Sequence, residues 1–430
     1  MLKKVNVTIL LAALCLTTAW GQTASSAGDA TPIDYKSYMH AVGERNKGYA
    51  SEKLNIDIRQ AEILSAGVFP DPELELAWFD NGERRQQMGY GFGTELSWTL
   101  ELGGKRSKRL DFAHSQADLS QVLLEEYFHN LRAEATYAYL EAIEKKTLLD
   151  LYISSYHQMR ELAKSDSLRY ELGSISELDA KQSKLEANSL LNEVYAAESE
   201  WKAAVVTLNK YMGADPGTYY AEPTGSLEGM ERNFSLEQLL ELAGQERMEL
   251  KVAIQDKRVS ASELEMIRAS YKMDLGLSVE VEHNTYAHNE IAPTPAFTSV
   301  KAGVSIPLKF SNRRKGELKA AQYTLEQSEL NYQQAILALN NEVSQAFIHY
   351  EAQRKQVNQY KSGMLTEANE VLEKKVYGYR RGEVSLMDVL LAQRTHNELK
   401  ENYFQTLFNQ AVALIELERS VGMWDIEIAE

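Results

Sequence analysis

The chain has 430 residues and a formal net charge of −16 at pH 7, and no shift in composition divides it into independent globules. So acidic a chain is not expected to bind nucleic acid, which requires a basic surface. The acidity fits a solvated, aggregation-resistant surface, and it also fits an aqueous lumen that favours cations.

The N-terminus has the pattern of a secretory signal peptide, predicted over residues 1–21. Lys3 and Lys4 precede an apolar run that ends in a small-x-small cleavage site. The single cysteine, Cys15, lies in that run without the small preceding residue that lipoprotein processing needs, so no lipid anchor is expected. No later stretch approaches about 18 apolar residues, so we expect no transmembrane helix and a location in the periplasm, outer membrane or exterior.

The next elements are an amphipathic helix, predicted from about Asp34 to Ala66, and a β-hairpin, predicted over residues 73–102. The return strand of the hairpin places its apolar side chains on one face: Tyr90, Phe92, Thr94, Leu96, Trp98, Leu100 and Leu102. Strands of about 9–11 residues with this alternation are typical of membrane β-barrels.

Two helices are predicted after the hairpin, over residues 105–172 and 174–212. No glycine or proline occurs between Gly104 and Gly173, so the first helix can extend for roughly 100 Å at about 1.5 Å per residue. Ser176-Glu177-Leu178-Asp179 has the pattern of a helix N-terminal capping box, so the second helix doubles back on the first.

The same order of elements begins again after a linker rich in glycine and proline, predicted over residues 213–232. The segment Gly382-Glu383-Val384-Ser385-Leu386-Met387-Asp388 repeats Gly173 to Asp179 with an offset of 209 residues. We therefore predict two repeats, residues 22–212 and 233–430. The second comprises a helix, a β-hairpin over 275–310, a long helix over 313–381 and a helix over 383–421.

The two hairpins supply four predicted membrane strands per chain. Lipid does not tolerate open sheet edges, and membrane barrels contain at least about eight strands. Several chains must therefore share one barrel.

With its two hairpins, double repeat and paired Gly-x-x-Ser-x-x-Asp turns, the chain resembles the TolC-like outer-membrane efflux channels over nearly its whole length. The resemblance implies a fold that is mainly α with membrane β. Three chains would form a homotrimer with a 12-stranded β-barrel in the outer membrane and an α-barrel of long antiparallel coiled helices in the periplasm. It further implies a passive exit duct, not an enzyme and without a cofactor, in a tripartite efflux system. The partners would be a periplasmic adaptor (membrane fusion protein) and an inner-membrane pump of the resistance-nodulation-division class.

Two segments, Pro70-Asp71-Pro72-Glu73-Leu74 and Leu100-Glu101-Leu102-Gly103-Gly104-Lys105-Arg106, are most similar to the branch that serves cobalt-zinc-cadmium and copper-silver pumps. This similarity favours heavy-metal cations as cargo, with drugs or other organic compounds as the alternative. An alternative of another class is a soluble periplasmic coiled-coil adaptor. Such a protein would share the long helical hairpin but would need no amphipathic strands.

The candidate functional residues cluster at the two predicted periplasmic tips. Gly173 and Gly382 are predicted as left-handed helix C-caps. The nearby acidic residues could form acidic rings at a channel entrance; they are Glu171, Glu177, Asp179, Glu383 and Asp388. For Asp179 and Asp388, which lie three residues after a serine, helix capping is the alternative. In the resembled family a network of Tyr, Arg and Asp keeps the tip closed, and the candidates here are Tyr379, Arg380 and Arg381.

Trp78 and Trp98 are predicted to anchor the barrel at the membrane interfaces. Glu282, His283, His288 and Glu290 contain ligand types that suit a transition metal, but they lack an i, i+4 histidine pair. We therefore predict solvated loop residues there, and neither a resident metal nor a catalytic constellation elsewhere.

Overall fold

The computed structural model describes residues 31–82, 87–215, 221–308, 313–426 and 428, so the predicted signal peptide lies outside the described residues. The described part is mainly helical and includes one four-stranded sheet, which confirms the predicted fold class. The first half contains β1 (Thr31–Ile33), α1 (Tyr35–Arg45), α2 (Lys47–Ala66), β2 (Glu73–Asp80), β3 (Tyr90–Leu100), α3 (Lys105–Glu171) and α4 (Glu177–Tyr211). The second half contains β4 (Ala221–Pro223), α5 (Leu236–Glu246), α6 (Met248–Ser270), β5 (Leu275–Asn284), β6 (Phe297–Ser305), α7 (Arg313–Gln359), α8 (Leu365–Arg380) and α9 (Leu386–Val421).

The helix predicted from Asp34 to Ala66 is two helices, which corrects the prediction. Asn46, between α1 and α2, has an extended backbone (φ −63°, ψ 119°), and its side chain accepts a hydrogen bond from the N–H of Tyr49 at 2.9 Å. This cap offsets the loss of a helical hydrogen bond. Arg247 divides α5 from α6 with the same extended backbone (φ −61°, ψ 123°), but its side chain makes no capping hydrogen bond.

The long helix predicted over residues 313–381 is also interrupted, by a π-helical turn at Tyr360–Met364. Gly363 within it has φ 126° and ψ −17°, a conformation that side chains disfavour. In the first half α3 runs unbroken over 67 residues, close to its predicted bounds.

Two further boundaries differ from the predictions. The return strand predicted to residue 310 ends as β6 at Ser305, two residues before Pro307, whose missing N–H cannot continue a ladder. The predicted linker at residues 213–232 contains β4, which pairs in parallel with β1.

The four-stranded sheet is antiparallel, in the order β2-β3-β5-β6. Its register brings the apolar side chains of neighbouring strands to one face, where Leu76, Val281 and Val300 are exposed. On the other face Glu75 lies opposite Glu95, Glu95 opposite Glu280, and Glu280 opposite Lys301. A sheet with one apolar and one polar face has the alternation expected of a membrane barrel wall.

The helices form one continuous layer below the sheet. Near the sheet α2, α3, α6 and α7 pack side by side, and towards the tip α3 packs against α4 and α9 while α8 packs on α9. Small buried residues on α3, including Ala135, Ala138 and Ala142, allow close approach of its neighbours.

The main hydrophobic core lies midway between the sheet and the tips and joins the two halves. The buried Tyr139 hydroxyl lies 2.9 Å from the carbonyl oxygen of Ile33 and 2.6 Å from that of Thr224, so it ties β1 to the segment after β4. In the second half the buried Tyr350 hydroxyl accepts from the N–H of Arg232 at 2.6 Å. The long helices are therefore held at mid-height by hydrogen-bonded tyrosines.

Candidate functional site at the helical tips

Both helical hairpins turn at a glycine with a left-handed backbone, as predicted: φ is 74° at Gly173 and 77° at Gly382. The N–H of Ser174 donates to the carbonyl of Arg169 at 2.7 Å, and that of Glu383 donates to the carbonyl of Gly378 at 2.9 Å. These six-to-one bonds are Schellman motifs, which end a helix without unpaired carbonyl groups. The two tips thus have the same rigid geometry.

The return helices begin at serine caps that hold Asp179 and Asp388. The Ser385 hydroxyl accepts from the N–H of Asp388 at 3.2 Å, and the Asp388 carboxylate accepts from the N–H of Ser385 at 3.1 Å, which completes a capping box. At the other tip Ser176 accepts from the N–H of Asp179 at 3.1 Å. The capping interpretation of both aspartates therefore has direct geometric support.

The capping carboxylate of α9 also joins two helices. Lys375 of α8 lies 3.3 Å from Asp388, and the pKa of Asp388 is lowered, first by the Ser385 hydroxyl and then by its N–H and by Lys375. Glu177 forms a local pair with Lys181 at 2.6 Å, which lowers its pKa.

A buried contact between α3 and α8 closes the second hairpin against the first. The Tyr379 hydroxyl donates to Asp166 at 3.0 Å, and these residues are 5% and 0% exposed. Arg169 lies 3.6 Å from the same carboxylate oxygen, and its guanidinium lies 5.0 Å from the centre of the Tyr379 ring. We call Asp166, Arg169 and Tyr379 the latch.

Because the latch is buried, loss of its hydrogen bond would raise the free energy of the folded chain. Burial raises the pKa of Asp166, and the hydrogen bond from Tyr379 opposes that rise. Burial and then the charge of Asp166 raise the pKa of Tyr379, so the phenol remains protonated and can donate. Removal of that donor would cost the buried carboxylate its direct hydrogen bond from α8 and leave Arg169, at 3.6 Å, as its partner in the latch.

The predicted group of Tyr379, Arg380 and Arg381 is divided in the structure, because only Tyr379 joins the latch. Arg381 lies 3.3 Å from Glu383 and donates to the Tyr377 hydroxyl at 3.1 Å, all near the end of its own hairpin. Arg380 is exposed and forms no ion pair within the described residues. Another contact joins the two helical hairpins, since Arg394 of α9 donates three hydrogen bonds to Glu186 of α4, at 2.9, 3.1 and 3.2 Å.

The sequence analysis missed Asp166 and Arg169. They lie inside a long helix, where acidic and basic residues are common and no motif marks them. A usable signal existed in the repeat: Asp166 and Asp179 correspond, at the offset of 209, to Lys375 and Asp388. In the second helical hairpin Lys375 pairs with Asp388. The first has Asp166 and Asp179 at these positions, so Asp166 needs a partner from another part of the chain.

Trp78 and Trp98 lie at opposite ends of the exposed apolar face of the sheet. Trp78 pairs with Phe92 across the strands and packs on Tyr90 at 5.6 Å between ring centres, whereas the Trp98 indole donates to the Pro70 carbonyl at 3.0 Å. The six residue steps from Phe92 to Trp98 span about 20 Å along the strand, so the two indoles lie well apart, and their role as membrane anchors stays a prediction.

Three of the four metal-type residues of the second β-hairpin make local contacts, and Glu282 and His283 lie in β5, which corrects the prediction of loop residues. Glu282 pairs with Lys301 at 2.5 Å, His283 shares a hydrogen bond with Thr298 at 2.9 Å, and His288 packs on Tyr286. Within the described ranges no group of three or more His, Cys, Asp or Glu side chains is arranged to hold a metal. Among the helices of those ranges, none has the length and apolarity needed to cross a membrane.

A sheet with an exposed apolar face that continues into long helical hairpins with a latched tip defines a membrane channel with a helical extension. Residues 44–214 and 239–423 match the family model described as outer membrane efflux protein. The chain belongs to the outer membrane efflux protein family. The predicted resemblance is thereby confirmed, and the chain is an efflux channel of the outer membrane, not an enzyme or a soluble adaptor.

Individual relatives extend along nearly the whole chain. The cobalt-zinc-cadmium resistance protein CzcC of Cupriavidus metallidurans is 23% identical over 394 residues, 91% of each chain. The crystal structure of CusC superposes with a TM-score of 0.73 at 16% identity and covers 92% of this chain and 94% of its own. The CmeC outer membrane channel of Campylobacter jejuni has a TM-score of 0.74 at 13% identity, covering 90% and 85%.

Proposed function

We propose that this chain is the exit duct of a tripartite efflux system, that it works as a homotrimer, and that its cargo is a heavy-metal cation. The observation that carries the proposal is the union, in one chain, of an open-edged amphipathic sheet with helical hairpins roughly 100 Å long. A single chain leaves the edges of the sheet and of the helical layer open. Copies of the chain related by one rotation axis would close both.

The edges of the sheet and of the helical layer coincide. β2 and β6 are the unpaired edge strands, and α2 and α7, which flank them in the chain, are the edge helices. Exposed apolar residues line α7 at seven-residue intervals: Tyr323, Leu330 and Leu337. Leu54 and Ile58 are exposed on α2. A head-to-tail contact of α7 and β6 with a neighbour's α2 and β2 would bury both stripes and close a ring.

The polar face of the sheet would line the lumen of that ring. Glu75, Glu95 and Glu280 lie directly opposite one another on three strands, although like charges across strands destabilise a sheet. Within the described residues Glu75 and Glu95 have no ion-pair partner, whereas Glu280 has Lys301 at 3.5 Å. Unneutralised carboxylates on a lumen wall favour the passage of cations.

The tips would meet the adaptor, and the latch would keep them closed until it does. Leu178 and Met387 occupy equivalent positions in the two return helices, and both are exposed together with Leu172 at the first turn. Apolar residues exposed at the same place in both hairpins suit a repeated contact with a periplasmic adaptor. An inner-membrane pump of the resistance-nodulation-division class would supply the energy.

The heavy-metal cargo rests on the similarity to CzcC and on the acidic lumen face. The test is deletion of the gene in its host, followed by growth on zinc, cobalt, cadmium, copper and silver beside bile salts and dyes. We expect a fall of several-fold in the tolerated metal concentration, restored by the gene on a plasmid. Sensitivity to organic compounds alone would overturn the metal cargo and keep the duct, and unchanged growth on every compound would contradict the efflux role.

A further inference from the structure

A groove of about 570 Å³ lies beside the latch, between α3, α8 and α9. Its floor is apolar and includes Met159, Leu372 and Val389, all buried. Val376, Tyr377 and Arg380 of α8 form one wall, on either side of the latch residue Tyr379. A groove of this volume with an apolar floor is of the size that small organic ligands occupy.

One buried polar side chain in the groove has no partner. His396 is 5% exposed, and neither of its ring nitrogens is hydrogen-bonded within the described residues. Burial and then the charge of Lys400 lower its pKa, and the side chain of the neighbouring Asn397 opposes that shift. The neutral imidazole offers one donor and one acceptor. Buried polar groups are normally hydrogen-bonded, so an occupant of the groove would satisfy a group that the protein leaves unsatisfied.

The rim of the groove carries more free positive than negative charge. Arg380 and Lys400 have no ion-pair partner within the described residues. Of the two acids on the rim, Glu161 pairs with Lys164 at 2.5 Å, whereas Glu373 accepts from the neutral Asn369 amide at 2.9 Å and keeps its charge. With two free cations and one free carboxylate, the complementary ligand is an anion.

We propose that this groove binds an amphipathic organic anion. Its apolar body would lie on Met159, Leu372 and Val389, its carboxylate or sulfonate near Arg380 and Lys400, and a polar atom would face His396. The groove needs α8 to lie against α3, so an occupant would favour the latched arrangement. That last effect rests on the proposed gating role of the tip, whereas binding itself does not.

The test is calorimetric titration of naphthalene-2-sulfonate into the full chain in lipid nanodiscs. We expect saturable binding with one site per chain, and a loss of roughly tenfold in affinity for Arg380→Gln combined with Lys400→Gln. Lys374→Gln, which removes a charge from the exposed side of α8 where it pairs with Glu370, is the matched control and should bind as the unaltered chain does. Val376→Phe, which fills the groove without a change of charge, should also abolish binding.

A cationic analogue of the same shape, naphthyl-trimethylammonium, should not compete. Equal affinity for the two naphthyl ions, or full affinity in the Arg380/Lys400 double variant, would overturn the proposal. The effect on the tip is measured separately, as a fall in single-channel conductance on addition of the sulfonate. If binding persists while neither the sulfonate nor Tyr379→Phe alters conductance, the gating role fails and the site stands.

Discussion

Asp166 and Tyr379 make a small buried contact between the two helical hairpins, and the proposed closed state of the tip would depend on it. The carboxylate is fully buried, and the phenol that donates to it belongs to the other hairpin, 213 residues away in the chain. Hydrogen bonds to charged groups contribute about 1.5–3 kcal/mol, and a buried carboxylate left unpaired costs a similar amount. A single hydroxyl group is therefore enough to bias the position of α8.

The first prediction at this scale concerns Tyr379→Phe, which removes the hydroxyl and keeps the ring. With a loss of about 2 kcal/mol, the balance between closed and open tips should move by a factor of about 30 towards the open form. Planar-bilayer recordings should show a higher mean conductance. Tyr170→Phe removes an exposed hydroxyl from the same tip and should leave the recordings unchanged, and an equal response of the two variants would refute the latch.

The second concerns Glu418, a fully buried residue near the end of α9. One carboxylate oxygen accepts from the N–H of Asp425 at 3.0 Å, and the other has no hydrogen-bond partner in the described chain. Burial, followed by the side chain of Asp425, raises the pKa of Glu418 to about 8, and the N–H of Asp425 and the charge of Arg232 oppose the rise. At neutral pH this side chain is mostly protonated.

Because the folded state holds this proton more tightly than the unfolded state, the contribution of Glu418 to the free energy of unfolding is greatest below about pH 4.5. It falls as the pH rises through the folded pKa of about 8. Glu418→Gln should remove this decline, a difference of several kcal/mol by linkage. Thermal unfolding midpoints at pH 5 and pH 9 check this. Glu398→Gln, an exposed change on the same helix, should keep the decline of the unaltered chain, and a similar decline in the Glu418 variant would contradict the assignment.

At the scale of elements, the two hairpins differ where the π-helical turn at Tyr360–Met364 interrupts the second. The turn divides a segment fixed at mid-height by Tyr350 from one fixed at the tip by Tyr379. An extra residue in a π-turn changes the direction of a helix, and Gly363 takes the positive φ that this geometry requires. The bend therefore lies between α7 and α8, in the helical hairpin that contributes Tyr379 to the latch.

Two glycines, one in α7 and one in the π-helical turn that follows it, allow a matched prediction. Gly316 lies in regular helix with open space around it, so Gly316→Ala should raise stability by about 0.5–1 kcal/mol. Gly363 has φ 126°, so Gly363→Ala should lower stability by more than about 1 kcal/mol although there is room for the methyl group. Thermal unfolding of both variants decides, and a stabilising effect at position 363 would show that the turn is not strained for alanine.

At the scale of the whole molecule, the exposed apolar stripes on α2 and α7 and the open edges of the sheet have one common solution, a closed ring of copies. Leu330 and Leu337 are 64% and 65% exposed, so in the single chain these two large apolar side chains face water. In the proposed homotrimer they would be buried.

Leu330→Glu combined with Leu337→Glu should therefore abolish the trimer by placing two charges in an apolar contact. Detergent-extracted outer membranes, run unheated on gels and by size-exclusion chromatography with light scattering, provide the measurement. Asn331→Glu with Ala338→Glu adds the same charges one residue further round the helix, at exposed positions, and should retain the trimer. Retention in both pairs would remove α7 from the interface.

Much of the fold was accessible from sequence because its signals are local. Apolar alternation marked all four strands of the main sheet, the absence of glycine and proline marked α3, and the serine caps marked the start of α4 and α9. The breaks at Asn46 and Arg247 were not predicted, because polar residues at those places differ little from others on the helices. The π-turn was missed for a similar reason, since a glycine within a helical pattern is usually tolerated.

The sequence by itself determined the repeat, the kinds of element, the two tip turns and the family resemblance, because each depends on residues within a few turns of one another. Only the tertiary structure paired Asp166 with Tyr379 and aligned Glu75, Glu95 and Glu280 across three strands. It also placed His396, which has no hydrogen-bond partner within the described residues, in one groove with Arg380 and Lys400. Those relations depend on strand register and on how long helices cross. Which distant residues a side chain on a helix of 67 residues contacts depends on how the helices pack. The local sequence pattern therefore does not predict these contacts.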